Sequence, residues 1–84
     1  MPKRKRRVGF GMRGDRLRSI RDMRGLSQPE LGARVGVTGQ QIYRYEKAEN
    51  EPDADILAML ARELEVSADY LLGLVDDLQG HILK

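Results

Sequence analysis

Twenty residues, Ser27 to Glu46 (SQPELGARVGVTGQQIYRYE), constrain the fold of this 84-residue chain more than any others. Ser27 is followed three residues later by Glu30. In that S-x-x-E spacing the hydroxyl takes a backbone N–H of the first helical turn and the carboxylate returns to the N-cap N–H. Thr38 and Gln41 repeat the device as T-x-x-Q. Between the two signals, Gly36 supplies the left-handed backbone that a sharp helix-to-helix turn needs. The segment therefore reads as two short helices, each with its own start signal, joined by a tight glycine turn.

Two helix starts this close together define a helix-turn-helix, the unit that lays its second helix in the DNA major groove. The rest of the chain is read against that expectation. At 84 residues there is room for one domain, and a chain of this size buries only about 60% of its unfolded surface. Cysteine is absent, which removes disulfide scaffolds and thiolate metal sites. Apolar runs are far shorter than a membrane-spanning helix needs, and Val8, Gly9 and Phe10 after the basic start are too few for a signal-peptide core. A soluble cytoplasmic protein is expected.

Net charge is +2, but its distribution is uneven. Residues 1–24 carry +8, residues 25–47 carry +1 and residues 48–84 carry −7. An approaching polyanion would be oriented by that asymmetry.

Along the chain the pattern predicts an all-α fold of five short helices. Residues 1–11 form a basic flexible arm, with KRKRR at Lys3, Arg4, Lys5, Arg6 and Arg7. The first helix runs from about Met12 to Arg24, with Leu17, Ile20 and Met23 on one face, and ends at Gly25, with Leu26 packing back on it. The second runs from Gln28 to Val35 with Pro29 in its first turn, and the third from Gly39 to Lys47. Pro52 and Asp53 open a fourth, Ala54 to Glu65, striped by Leu57, Leu60, Ala61 and Leu64. Ser67 caps a fifth, Ala68 to Leu72. The domain spans 12–73, and 74–84 is a tail in which Leu74, Leu78 and Ile82 recur at helical spacing. The tail is open between a frayed helix making a dimer contact, the end of the core and a linker.

From Arg16 to Leu72 the chain resembles the phage-repressor, or Cro and XRE, type of helix-turn-helix domain. The matching residues are R-L-R-S-I-R, S-Q-P-E-L-G, V-G-V-T, I-Y-R-Y-E, P-D-A-D-I-L-A-M-L-A and L-E-V-S-A-D-Y-L-L. The resemblance implies a compact five-helix domain that binds operator DNA as a homodimer, in the cytoplasm of a bacterium at its nucleoid or in a phage context. It places Gly39, Gln40, Gln41 and Arg44 where the recognition helix faces base edges, and Gln28 and Thr38 at the DNA backbone. It also implies a largely buried ion pair between Arg21 and Glu46. Two positions depart from the pattern. Gly39 brings no side chain where relatives often read a base. Ala48 stands where the family usually has glycine, so Asn50 is expected to supply the turn conformation.

The side-chain chemistry fits these positions and leaves alternatives. Gln40 and Gln41 can pair with adenine N6 and N7, and Arg44 with guanine O6 and N7. Gln41 is equally claimed by its capping place, and Arg44 by a phosphate. Tyr43 is expected on the exposed side near sugar-phosphate, and Tyr45 in the core. Lys3 to Arg7 serve phosphate contact, an import signal or simple solubility. Arg13, Arg16, Arg18 and Arg24 line the backbone or form a solvated face. The G-x-G-x-x-G letters from Gly9 to Gly14 lack the strand a dinucleotide site requires, and Arg13-Gly14-Asp15 matches an adhesion tripeptide by letters alone. His81 has no catalytic neighbours, and the acids lack calcium-loop spacing. No enzyme activity, cofactor, metal, membrane or small-molecule ligand is expected. The expected function is a sequence-specific transcriptional regulator, a repressor at an inverted-repeat operator. The rivals are an antitoxin or other protein-interaction module with secondary DNA binding, and nonspecific nucleic-acid binding.

Overall fold

The computed structural model of the chain describes residues 11–79. These form five helices and no strand: α1 (Gly14–Met23), α2 (Gln28–Val35), α3 (Gly39–Glu46), α4 (Ala54–Leu64) and α5 (Ala68–Leu71). The five expected helices are all present, and the bounds of α2 match to the residue.

Each start from α2 onward follows from a side-chain cap. Ser27 Oγ accepts from Glu30 N at 3.1 Å while Ser27 N donates to Glu30 Oε1 at 2.7 Å, so the first capping box is complete. Thr38 Oγ1, Asp53 Oδ1 and Ser67 Oγ accept from Gln41 N, Ile56 N and Tyr70 N. Each such cap satisfies one of the donors a helix start leaves open, worth about 1 kcal/mol. α1 starts two residues later than expected and has no side-chain cap at Arg13. Met12, expected in its first turn, is instead buried in the core and donates its N–H to Glu51 Oε1 at 2.9 Å.

The ends are closed by hydrogen-bonded turns. After α1, Gly25 adopts φ +72°, Gly25 N donates to Asp22 O and Leu26 N to Arg21 O, and Leu26 packs on the core as expected. α3 closes the same way: Ala48 N donates to Tyr45 O and Glu49 N to Arg44 O. Here the residue with positive φ is Ala48 itself, at +61°. The expected role of Asn50 as the turn residue is therefore wrong. The turn needs its left-handed residue at the C′ position, and that position falls on Ala48 whatever follows it.

One core joins all five helices. Leu17 and Ile20 of α1, Leu31 and Val35 of α2, Ile42 and Tyr45 of α3, Leu60 and Leu64 of α4, and Leu71 of α5 are buried together. Gly14 allows the start of α1 to cross the end of α3, because a Cβ there would overlap the carbonyl oxygens of Glu46 and Tyr45.

The described part of the tail, 74–79, is not the frayed helix considered above. Leu78 packs on the core and its carbonyl accepts from Ser67 N at 2.7 Å, and Gln79 Nε2 donates to Glu65 O at 3.1 Å. Packing thus continues past the expected boundary at 73. Leu74 remains exposed, and Ile82 lies outside the described residues.

Candidate nucleic-acid interface

α3 presents two different sides. Ile42 and Tyr45 face the core. Gln40, Arg44 and Lys47, at i, i+4 and i+7, lie exposed on the opposite side, with Tyr43 beside them. The Lys47 ammonium sits 5.7 Å from the Tyr43 ring centroid. This face carries two cations and an amide within two turns and no carboxylate. Lys47 was not singled out from the sequence. Its signal was available, since it continues the spacing that links Gln40 and Arg44.

Gln41 belongs to the flank. The T-x-x-Q box is half formed: Thr38 Oγ1 accepts from Gln41 N at 3.0 Å, whereas Gln41 Oε1 accepts from Asn50 Nδ2 at 3.2 Å. The left-handed turn at Ala48 folds the following loop back along α3 and brings Asn50 there. Thr38 is exposed at the helix start. Gly39 is half-buried against Pro29 of α2.

Beneath α3 lies the ion pair that the family resemblance implies. Arg21 Nε donates to Glu46 Oε2 at 2.5 Å and its terminal nitrogen to Oε1 at 3.2 Å. The side chains are 10% and 4% exposed. Arg21 also donates to Leu26 O at 2.8 Å and lies 3.3 Å from Asp22. The Glu46 hydrogen bonds hold the Arg21 guanidinium above its ordinary pKa, against the cost of burial. Gln28 Nε2 donates to Glu46 Oε1 at 3.0 Å. A carboxylate only accepts, so this bond fixes which end of the Gln28 amide faces inward. One carboxylate thus ties α1, the start of α2 and the end of α3 together.

An open groove of about 820 Å³ lies over this network. Arg18, Ser19, Ser27, Gln28, Tyr43 and Lys47 line it, with Asp15 and Asp22 among its borders. It holds the N-terminus of α2, where Pro29 brings no N–H and Ser27 Oγ already takes that of Glu30.

The arginines expected along α1 divide by role. Arg16 stacks 4.5 Å from the Tyr70 ring centroid, donates to the Tyr70 and Val75 carbonyls and pairs with Asp76 at 2.7 Å. Arg24 donates to Leu64 O at 2.7 Å and Glu65 O at 3.3 Å, completing the end of α4. Both therefore serve the fold, Arg16 half-buried and Arg24 from an exposed position. Arg13 pairs with Asp15, and Arg18 reaches Asp22 at 3.8 Å. Desolvation opposes ionisation of Asp15, but the Arg13 hydrogen bonds and charge, together with backbone hydrogen bonds from Arg16 and Asp15, outweigh it and lower its pKa. Lys3, Arg4, Lys5, Arg6 and Arg7 lie outside the described residues. Among the described residues no group of acids or histidine could hold a metal ion, and no helix is long and apolar enough to cross a membrane.

Comparison with known proteins agrees with this geometry. A family model described as helix-turn-helix matches residues 17–71. The HTH-type transcriptional regulator YobD of Bacillus subtilis is 39% identical over 62 residues, covering 74% of this chain and 55% of that protein. Repressor protein C2 of Salmonella phage P22 is 39% identical over 59 residues, covering 70% of this chain and 27% of that one. The chain thus spans about half or less of these relatives. The crystal structure of the P22 c2 repressor with a synthetic operator superposes with a TM-score of 0.68 at 38% identity, covering 69% of this chain and 88% of that one. The chain belongs to the helix-turn-helix family, in its phage-repressor, Cro and XRE branch.

Proposed function

We infer that this domain binds double-stranded DNA in a sequence-specific manner and acts as a transcriptional repressor at the nucleoid. The observation that carries this reading is the exposed row Gln40, Arg44 and Lys47 on a helix whose opposite side is locked by the Arg21–Glu46–Gln28 network. A rigid helix with a polar, cationic outer face suits the major groove, where an amide can pair with adenine and a guanidinium with guanine. Gln40 and Arg44 read base edges. Gln41, engaged by Asn50, has its Nε2 donors left for a base at the edge of the footprint. Gln28 and Thr38 hold phosphates, Gln28 through the N–H that Glu46 does not take. Tyr43 and Lys47 flank the groove on the sugar-phosphate side, and Lys3 to Arg7 add sequence-independent phosphate contacts.

Two copies place their third helices in successive major grooves about 34 Å apart on an inverted repeat. Repression follows from occluding polymerase. Selection of bound duplexes from a random double-stranded pool tests the reading. An enriched inverted repeat supports specificity and dimeric binding together. Enrichment of a single half-site removes the dimer, and absence of any enrichment removes the specific regulator.

A further inference from the structure

Glycine is unfavourable within a helix, because it loses more backbone freedom on folding than any other residue. Gly39 nevertheless opens α3 without positive φ. Its neighbour explains it. A Cβ at Gly39 would lie 2.9 Å from Pro29 N, 3.0 Å from Pro29 Cα and 3.0 Å from Pro29 Cγ. These are backbone and ring atoms, so none can swing aside as a flexible side-chain end could. Nor is α2 free to retreat. One turn further along the same face, a Cβ at Gly32 would lie 2.5 Å from Val37 O and 2.9 Å from Thr38 C and O. The side of α2 bearing Pro29 and Gly32 therefore rests on the backbone that leads into α3. Leu31 and Val35 anchor that helix in the core.

We propose that Pro29 and Gly39 form a matched pair that commits the first position of α3 to helix packing and leaves the base step opposite it unread by any side chain. Pro29 is then a specificity-determining residue without touching a base. Its ring and backbone forbid the side chain that would do the reading, and base discrimination begins at Gln40. This deepens the DNA-binding reading above and rests on it.

The test compares the full chain with Gly39→Ala, Gly39→Gln, Pro29→Ala and the double variant Pro29→Ala with Gly39→Gln. Each is measured for Tm and by duplex selection from a random pool. Gly39→Ala is expected to lower Tm, although helix propensity alone would raise it. Gly39→Gln is expected to weaken binding to all duplexes alike. Pro29→Ala removes only the Cγ contact and leaves N at 2.9 Å and Cα at 3.0 Å, so adding it is expected to recover a small part of both losses, and a full recovery would overturn the steric account. A raised Tm for Gly39→Ala, or a new base preference at full affinity in Gly39→Gln alone, would overturn the pair while leaving the wild-type motif intact. If the wild-type chain enriches no duplex, the DNA-reading claim falls as well, and the Tm series still decides whether the two residues are matched.

Discussion

Replacing Arg21 with alanine is the most direct challenge to the physical basis of this domain. The side chain makes two bonds to Glu46 and one to the Leu26 carbonyl, and both charged groups are nearly excluded from solvent. Truncation leaves the Glu46 carboxylate with the neutral Gln28 amide as its remaining described donor. Breaking a buried pair by removing one partner costs about 3–5 kcal/mol. The groove above the pair is open, so water can enter the vacated space and screen Glu46. That places the cost near the lower bound, at about 3 kcal/mol. A small domain has about 5–15 kcal/mol in total, and each kcal/mol moves Tm by about 4–8 °C at this size. Tm should therefore fall by about 12 °C or more.

Urea unfolding followed by circular dichroism should show the loss in the midpoint with little change in slope. The paired change Arg21→Met with Glu46→Leu removes both charges and should recover most of the loss, because the penalty comes from the orphaned carboxylate. A loss below about 1 kcal/mol for Arg21→Ala would show that the pair behaves like an exposed one. A double variant as unstable as the sum of its parts would show that the two residues act independently, refuting the argument.

Four further outcomes follow from specific contacts. Ala48→Gly should raise Tm by several degrees, because a non-glycine residue in the left-handed region costs about 1–2 kcal/mol; an unchanged or lower Tm would contradict that account of the α3 exit. The Ser27 backbone and hydroxyl bonds lower the Glu30 pKa. Its contribution should therefore be present above the unfolded value and lost as pH falls through the depressed folded one. The stability advantage of the wild type over Glu30→Gln should fade below about pH 4, and an advantage that grows with acidity would reverse the assignment. Arg44→Ala should cost about 1–3 kcal/mol of binding and relax preference at one base, while Lys47→Ala should weaken all sequences alike and reduce the salt slope by about 1; the opposite pattern would exchange their roles. Replacing Lys3, Arg4, Lys5, Arg6 and Arg7 with serine should flatten the dependence of log affinity on log salt by up to about 4.5, if each neutralises one phosphate; an unchanged slope would remove the arm from the interface.

What the sequence discloses about this domain is divided by the range of the interaction. Capping at Ser27, Thr38, Asp53 and Ser67 involves a hydroxyl or carboxylate and an N–H three residues away, so residue spacing was enough to read it. The second half of the Thr38 box was misread because its competitor, Asn50, arrives through a turn whose geometry is decided at Ala48. Propensity favours asparagine in left-handed backbone, but the closing bonds from Ala48 and Glu49 place that conformation by position. Arg16 and Arg24 were beyond local reading altogether. Their partners lie at Tyr70, Val75 and Asp76, and at Leu64 and Glu65, and nothing near either arginine signals them. Arg21 and Glu46 are equally distant, and family resemblance rather than spacing brought them together.

These long-range arginines also change what the charge asymmetry means. The +8 of the first 24 residues suggests a broad basic surface. Within the fold, however, Arg21 is buried with Glu46, Arg16 is held against Tyr70 and Asp76, and Arg24 closes α4. Arg13 and Arg18 stand beside Asp15 and Asp22. Much of the apparent field is thus spent on holding helices together. The cations left on the candidate face belong to Arg44 and Lys47, on the helix that also carries Gln40. Attraction from so few charges is short-ranged at physiological salt, where screening sets in over about 8 Å. On the reading proposed above, the described residues discriminate at contact, and long-range capture of a polyanion would fall to Lys3, Arg4, Lys5, Arg6 and Arg7.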